Sequence, residues 1–178
     1  AQRGEYARAT ATYLSIARET GDPRLARRAT ELALAGRQIE SAVPAAELWH
    51  QLEPDSDMAA QTLETLLLST GRFIPAEPLL AKRLAQARAD GSLPIVYRKL
   101  QTLLTRVADK SAALDMLARL AEPDAREPTA RLAVAAVAMA ADKPDRALAE
   151  ARAAMALEPD DPEPAMAAAR YAHQGEDP

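Results

Sequence analysis

Ala42-Val43-Pro44-Ala45-Ala46-Glu47-Leu48-Trp49-His50-Gln51-Leu52-Glu53-Pro54-Asp55 and Ala147-Leu148-Ala149-Glu150-Ala151-Arg152-Ala153-Ala154-Met155-Ala156-Leu157-Glu158-Pro159-Asp160 are one pattern written twice. Each opens on alanine, closes on Leu-Glu-Pro-Asp, and places proline 12 residues after the alanine (42 to 54, 147 to 159). The opening alanine recurs along the chain as Ala9, Ala42, Ala76, Ala113 and Ala147, at spacings of 33, 34, 37 and 34. Gly4-Glu5-Tyr6-Ala7-Arg8-Ala9 also matches Gly71-Arg72-Phe73-Ile74-Pro75-Ala76: glycine, an aromatic two residues on, alanine three after that. A fixed period of this size marks a chain of stacked supersecondary units, each too small to bury its apolar face alone.

Each period reads as two helices. Breakers stand at Gly21-Asp22-Pro23, Gly36-Arg37, Glu53-Pro54-Asp55, Thr70-Gly71, Asp90-Gly91, Glu122-Pro123-Asp124, Asp142-Lys143-Pro144 and Glu158-Pro159-Asp160. They predict helices over 4–20, 22–36, 39–53, 57–70, 73–90, 93–107, 110–121, 125–141, 144–157 and 161–173. Short turns between them imply antiparallel hairpins. Pro44 and Pro78 each fall two residues after a repeat alanine, and predict helices that start late or kink slightly. The alanines mark where the two helices of a hairpin approach most closely, which requires a small side chain.

Composition agrees. The 178 residues contain no cysteine or asparagine and only 3% aromatics, and alanine, arginine and leucine dominate, all strong helix formers. The absence of cysteine excludes a disulfide framework, a thiolate zinc site and a cysteine nucleophile. A net charge of −4 with so few aromatic rings speaks against nucleic-acid binding. The apolar run Leu132 to Ala141, bounded by Arg131 and Asp142, is too short to span a bilayer and reads as a buried helix. The chain begins at Ala1, and Ala1–Glu5 does not read as a signal peptide, so the expectation is an excerpt of a longer protein.

A period of about 34 residues in helix pairs, with a small residue and a trailing proline, resembles the tetratricopeptide repeat (TPR). Ala42, Ala76 and Ala147 match the alanine of its second helix, Tyr13 and Leu80 the following aromatic or apolar site, and Pro54 and Pro159 its terminal proline. Tyr97 and Leu100 match the start of its first helix, whose adjoining glycine is missing here. The resemblance implies an all-α fold, a right-handed solenoid of antiparallel helical hairpins with about ten helices, as a single array over 1–178. It divides into a trailing second helix (1–21), full repeats 22–56, 57–91, 92–124 and 125–160, and the leading helix of a further repeat (161–178). The stretch from Ala17 to Leu34, with Ala46-Glu47-Leu48-Trp49 and Leu52-Glu53-Pro54-Asp55, is similar to repeats of large proteobacterial TPR proteins of the cell envelope. These include outer-membrane lipoproteins that hold a carboxy-terminal processing protease and its substrates.

In such arrays the first helix of each pair lines a concave face. Carried over, the groove positions are Arg27 and Glu31, then Gln61 and Thr65, then Arg98, Thr102 and Arg106, then Leu132, Ala136 and Met139. Arg98, Thr102 and Arg106, spaced i, i+4, i+8, predict one helix stripe suited to a carboxylate or acidic peptide. The asparagine and lysine clamp of one chaperone-binding subtype is not expected, since the only lysines are Lys82, Lys99, Lys110 and Lys143.

The two histidines, His50 and His173, are too few and too far apart to imply a metal. Trp49 reads as core between adjacent repeats. The acidic clusters Glu53 to Asp57 and Glu158 to Glu163 lack calcium-loop spacing and read as helix caps. No phosphate loop, nucleophile motif or carboxylate pair stands out, so no enzyme, cofactor or metal is expected. The expected function is a non-catalytic scaffold in the Gram-negative envelope, on the periplasmic side of the outer membrane. It would bind a protein or extended peptide, with a carboxy-terminal processing protease as one partner. The alternatives are a cytoplasmic TPR adaptor or regulator, and a structural module that self-associates through its exposed repeat ends.

Overall fold

Glycine and proline end the helices where the sequence places the breaks. A computed structural model of the chain describes residues 2–175. Among them are ten α-helices: α1 (Gln2–Thr20), α2 (Pro23–Ala35), α3 (Ile39–Leu52), α4 (Asp57–Ser69), α5 (Phe73–Asp90), α6 (Leu93–Leu104), α7 (Lys110–Ala121), α8 (Pro128–Ala140), α9 (Pro144–Leu157) and α10 (Pro162–Gly175). A short 3-10 turn, Glu122–Asp124, follows α7. The fold is all-α, built of antiparallel helical hairpins, as expected. Residues 1 and 176–178, at the edges of the predicted segments 1–21 and 161–178, lie outside the described residues.

Caps explain the helix starts. Asp22, Ser56 and Asp109 accept backbone N–H bonds from Arg24, Ala59 and Ala112 at 2.9, 3.3 and 2.9 Å. Asp161 accepts from the Glu163 N–H at 2.9 Å, so both acidic clusters supply caps, as expected. Two ends differ from expectation by three residues, the others by two or fewer. α6 stops at Leu104 rather than 107, because the chain tightens into a turn in which the Arg106 N–H bonds the Leu103 carbonyl. α8 starts at Pro128 rather than 125, because the residue before a proline is kept extended; Glu127 has φ −94° and ψ 114°. Pro44 and Pro78 lie inside α3 and α5, so neither helix starts late. The carbonyls that lose a partner belong to Glu40 and Ile74, both exposed residues.

Four helix ends share one backbone closure. It follows α5, where the Ser92 N–H reaches the Ala87 carbonyl at 3.0 Å after Gly91 (φ 76°), and it follows α2, α4 and α8. The N–H groups of Gln38, Arg72 and Lys143 reach the buried residues Ala33, Leu67 and Ala138 five positions back, at 2.8, 2.8 and 2.9 Å. The residue before each of these donors has positive φ: Arg37 at 54°, Gly71 at 71° and Asp142 at 58°. The ends of α3 and α9 also repeat: Glu53 (φ −129°, ψ 70°) and Glu158 (φ −133°, ψ 80°) each precede proline.

The chain clusters into two compact units, Ala1–Arg72 and Phe73–Pro178. The division falls between α4 and α5, inside the segment 57–91. In the first unit α1 packs on α2 and α3, α2 on α3, and α3 on α4. In the second, α5 packs on α6 and α7, α6 on α7 and α8, α7 on α8, and α8 and α10 on α9 and each other. Ala42, Ala76, Ala113 and Ala147 have no solvent exposure, and Ala9 is half-buried. Gly36 allows a close approach between α1 and α2: a Cβ there would lie 2.7 Å from Tyr6 Cβ. α8 buries Ala130, Leu132, Ala133, Val134, Ala135, Val137 and Ala138 because neighbours surround it, which explains its apolar run.

Trp49 is 4% exposed and packs with Ala17 of α1, Ala26 of α2 and Ala59 of α4, so one indole joins all four helices of the first unit. Its N–H donates to Glu53 Oε2 at 2.6 Å. Trp49→Ala is expected to cost about 3–5 kcal/mol in urea unfolding, through the cavity it leaves. Ala76→Leu is expected to cost roughly 1–3 kcal/mol by overpacking, and an unchanged unfolding midpoint would contradict the close approach at α5.

Candidate functional site

In the first unit α2 and α4 carry four of the expected groove residues. Arg27 and Glu31 are exposed and satisfy each other: Arg27 Nε donates to Glu31 Oε1 at 2.9 Å, and Arg28 adds a 3.2 Å contact. Arg27 holds the Glu31 carboxyl below its ordinary pKa, and its guanidinium lies 5.7 Å from the Trp49 ring centroid. Such exposed pairs contribute little stability. Gln61 and Thr65 have a different setting. With Leu34, Met58, Thr62 and Leu66 they line a shallow groove of about 330 Å³ between α2 and α4. Leu34 and Met58 are 38% and 55% exposed there. The hydroxyls of Thr62 and Thr65 donate to the Met58 and Gln61 carbonyls of their own helix, so the groove presents methyl groups and one amide, with no formal charge.

In the second unit the expected stripe is broken. Arg98 and Thr102 lie on α6, whereas Arg106 lies in the turn after it, so the three do not share one helix row. Arg98 Nη2 reaches Glu163 of α10 at 2.9 Å, and the Thr102 hydroxyl donates to the Arg98 carbonyl at 3.0 Å. Leu132 is 9% exposed and belongs to the core; Ala136 and Met139 are half-buried. Of the carried-over positions on α8, Leu132 thus serves packing, because α8 is enclosed by its neighbours.

Sequence reading missed a buried polar cluster in this unit. Asp124, 6% exposed, accepts from Arg88 Nε and Nη2 at 2.6 and 2.9 Å and from the Tyr97 hydroxyl at 2.5 Å. Burial, and then the Asp124 carboxylate, push the Tyr97 hydroxyl far above its ordinary pKa, so it remains a donor. The Asp124 bond also raises Arg88. This cluster ties α5, α6 and the turn Glu122–Asp124 together. Two further ties are Arg119 to Glu77 (2.8 Å, α7 to α5) and Arg131 to Glu150 (2.7 Å, α8 to α9). Arg88 and Asp124 are 36 residues apart, and no local sequence signal marks them as partners.

Among the described residues no group of three His, Cys, Asp or Glu side chains could hold a metal ion, and no helix is long and apolar enough to cross a membrane. Asp124→Ala is expected to cost about 2–3 kcal/mol in urea unfolding, since it strands the Tyr97 hydroxyl and the partly exposed Arg88 charge. Tyr97→Phe is expected to cost about 1 kcal/mol. Equal stability of both variants and the parent chain would remove the cluster's structural role.

No protein-family model matches the chain, and no curated protein matches it. Among solved structures, a segment of MamA (41 to the end) from Desulfovibrio magneticus RS-1 is similar, with 14% identity over 87% of this chain and 86% of that one, and a TM-score of 0.47. The P58(IPK) TPR domain is 21% identical over 96% of this chain and 51% of that one, with a TM-score of 0.38. This chain thus spans about half the length of the second. Likenesses this distant do not define a family for the chain.

Proposed function

We propose that the chain is a TPR-type scaffold that binds a protein, and that the groove between α2 and α4 takes an apolar-faced segment of it. One observation carries this reading. The groove is uncharged and exposes Leu34 and Met58, in a chain of which 27% is charged. Exposed aliphatic side chains in an uncharged groove favour a peptide or helix laid across the two helices. The recurring buried alanines and helix closures support the TPR-type reading. For the finer reading, the similarity of residues 17–34 and 46–55 to envelope TPR proteins favours a periplasmic location and a carboxy-terminal processing protease as partner.

The test is a photo-crosslinking residue in place of Met58, in cells that make the protein, with fractionation and mass spectrometry of the adducts. A discrete protein adduct, lost on Leu34→Glu, is expected. No adduct, or one indifferent to Leu34→Glu, would overturn the groove reading. A periplasmic protease as adduct would support the finer reading. A cytosolic protein would favour an adaptor instead, and the chain itself would favour self-assembly.

A further inference from the structure

The second unit has a cavity of a different character. The end of α7, the start of α8 and the start of α9 surround about 350 Å³. Its base is aliphatic, with Ala121, Ala130 and Val134 all buried. Three guanidiniums line it, from Arg119, Arg131 and Arg146.

Two of the three are held by internal carboxylates. Arg119 donates Nε and Nη2 to Glu77 at 3.0 and 2.8 Å. Arg131 donates Nη1 to Glu150 at 2.7 Å and Nε to the Ala125 carbonyl at 2.9 Å. Each uses two of its five donors, so each keeps unused N–H groups. Glu150 is set deeper than Arg131, with side-chain exposures of 18% and 32%. The third guanidinium differs: Arg146 is exposed and has no hydrogen bond or ion pair among the described residues. Two carboxylates also line the cavity: Glu150, which holds Arg131, and Glu122, exposed and without an ion pair.

We infer that this cavity binds an isolated carboxylate flanked by aliphatic side chains, on an extended segment of a protein partner. Arg146 supplies the unpaired fork, which pairs with a planar carboxylate through two parallel bonds. Arg119 and Arg131, fixed by their own glutamates, offer remaining donors at no cost in ordering. The aliphatic base takes the neighbouring side chains. A neutral segment would cover Arg146 without pairing it, which is costly. A basic segment would meet three guanidiniums. A densely acidic segment would meet Glu122, so a single carboxylate between apolar neighbours fits best. This site goes beyond the α2–α4 groove and stands or falls separately.

The probe is a capped ten-residue peptide with one central glutamate between two leucines, in an alanine–glycine background. It is titrated into the full chain at low salt while backbone amide shifts are followed. Shifts are expected within 118–125, 130–134 and 146–150, with affinity reduced at least tenfold when glutamine replaces the peptide's glutamate. Arg146→Gln and Arg146→Glu are expected to weaken binding to a similar degree. Both change an exposed helix position, and unchanged amide spectra elsewhere confirm the fold. Leu34→Glu, in the first unit, is expected to leave this binding intact even if the groove reading fails. Absence of shifts at the cavity, equal binding of the glutamine peptide, or full binding by the Arg146 variants would overturn the site.

Discussion

The structure depends on how closely two helices can approach when the residue between them is alanine. Ala42, Ala76, Ala113 and Ala147 are each sealed from solvent. A larger side chain there would push the axes apart and remove dispersion contacts along the length of the hairpin. The same residue recurs once per period, and the hairpins α2–α3 and α8–α9 close in a similar way. The positive-φ turns at Arg37, Gly71 and Asp142, each followed by the same five-back hydrogen bond, are the backbone side of that constraint. Two of those three positions hold a non-glycine residue in a conformation that disfavours it. Hairpin geometry evidently outweighs the local preference.

The two units add to this common frame differently. In the first, a single large aromatic does the joining: Trp49 fills a space bounded by Ala17, Ala26 and Ala59, and its one polar atom is satisfied within its own helix end. In the second, the joint is polar. Asp124 gathers Arg88 and Tyr97 from two helices into a 3-10 turn. Such a cluster is tolerated in the interior because its hydroxyl and both carboxylate oxygens are paired, and partial satisfaction would be worse than none. Apolar filling tolerates small shifts, whereas bidentate pairing fixes the position of the turn that carries Glu122 and Ala125 to the adjacent cavity.

The same contrast sorts the surface. Arg27 with Glu31 and Arg98 with Glu163 are satisfied pairs, so they form a solvated exterior. Two open sites differ in kind: an uncharged aliphatic groove on α2 and α4, and an arginine-lined cavity in which Arg146 is the unpaired guanidinium. The two call for different ligand chemistry, which makes them separable by substitution.

The helices and their caps were legible in the sequence, because these rest on local forces. Proline and glycine terminate helices, Ser56 and Asp161 cap within three residues, and the alanine period counts out the hairpins. Its misses were also local in origin: Glu127-Pro128 holds back the start of α8, and the tightened turn after Leu104 takes Arg106 off the α6 row. Which charges meet was decided only by the tertiary structure. Arg88 and Asp124, Arg119 and Glu77, and Arg98 and Glu163 are 36, 42 and 65 residues apart, and nothing in the intervening text marks one as the partner of the other. Gln61 and Thr65 were legible as surface positions, but the groove they line exists only because α2 brings Leu34 beside Met58. Arg146 drew no notice at all, since being unpaired is a property of a side chain's surroundings and has no sequence signal.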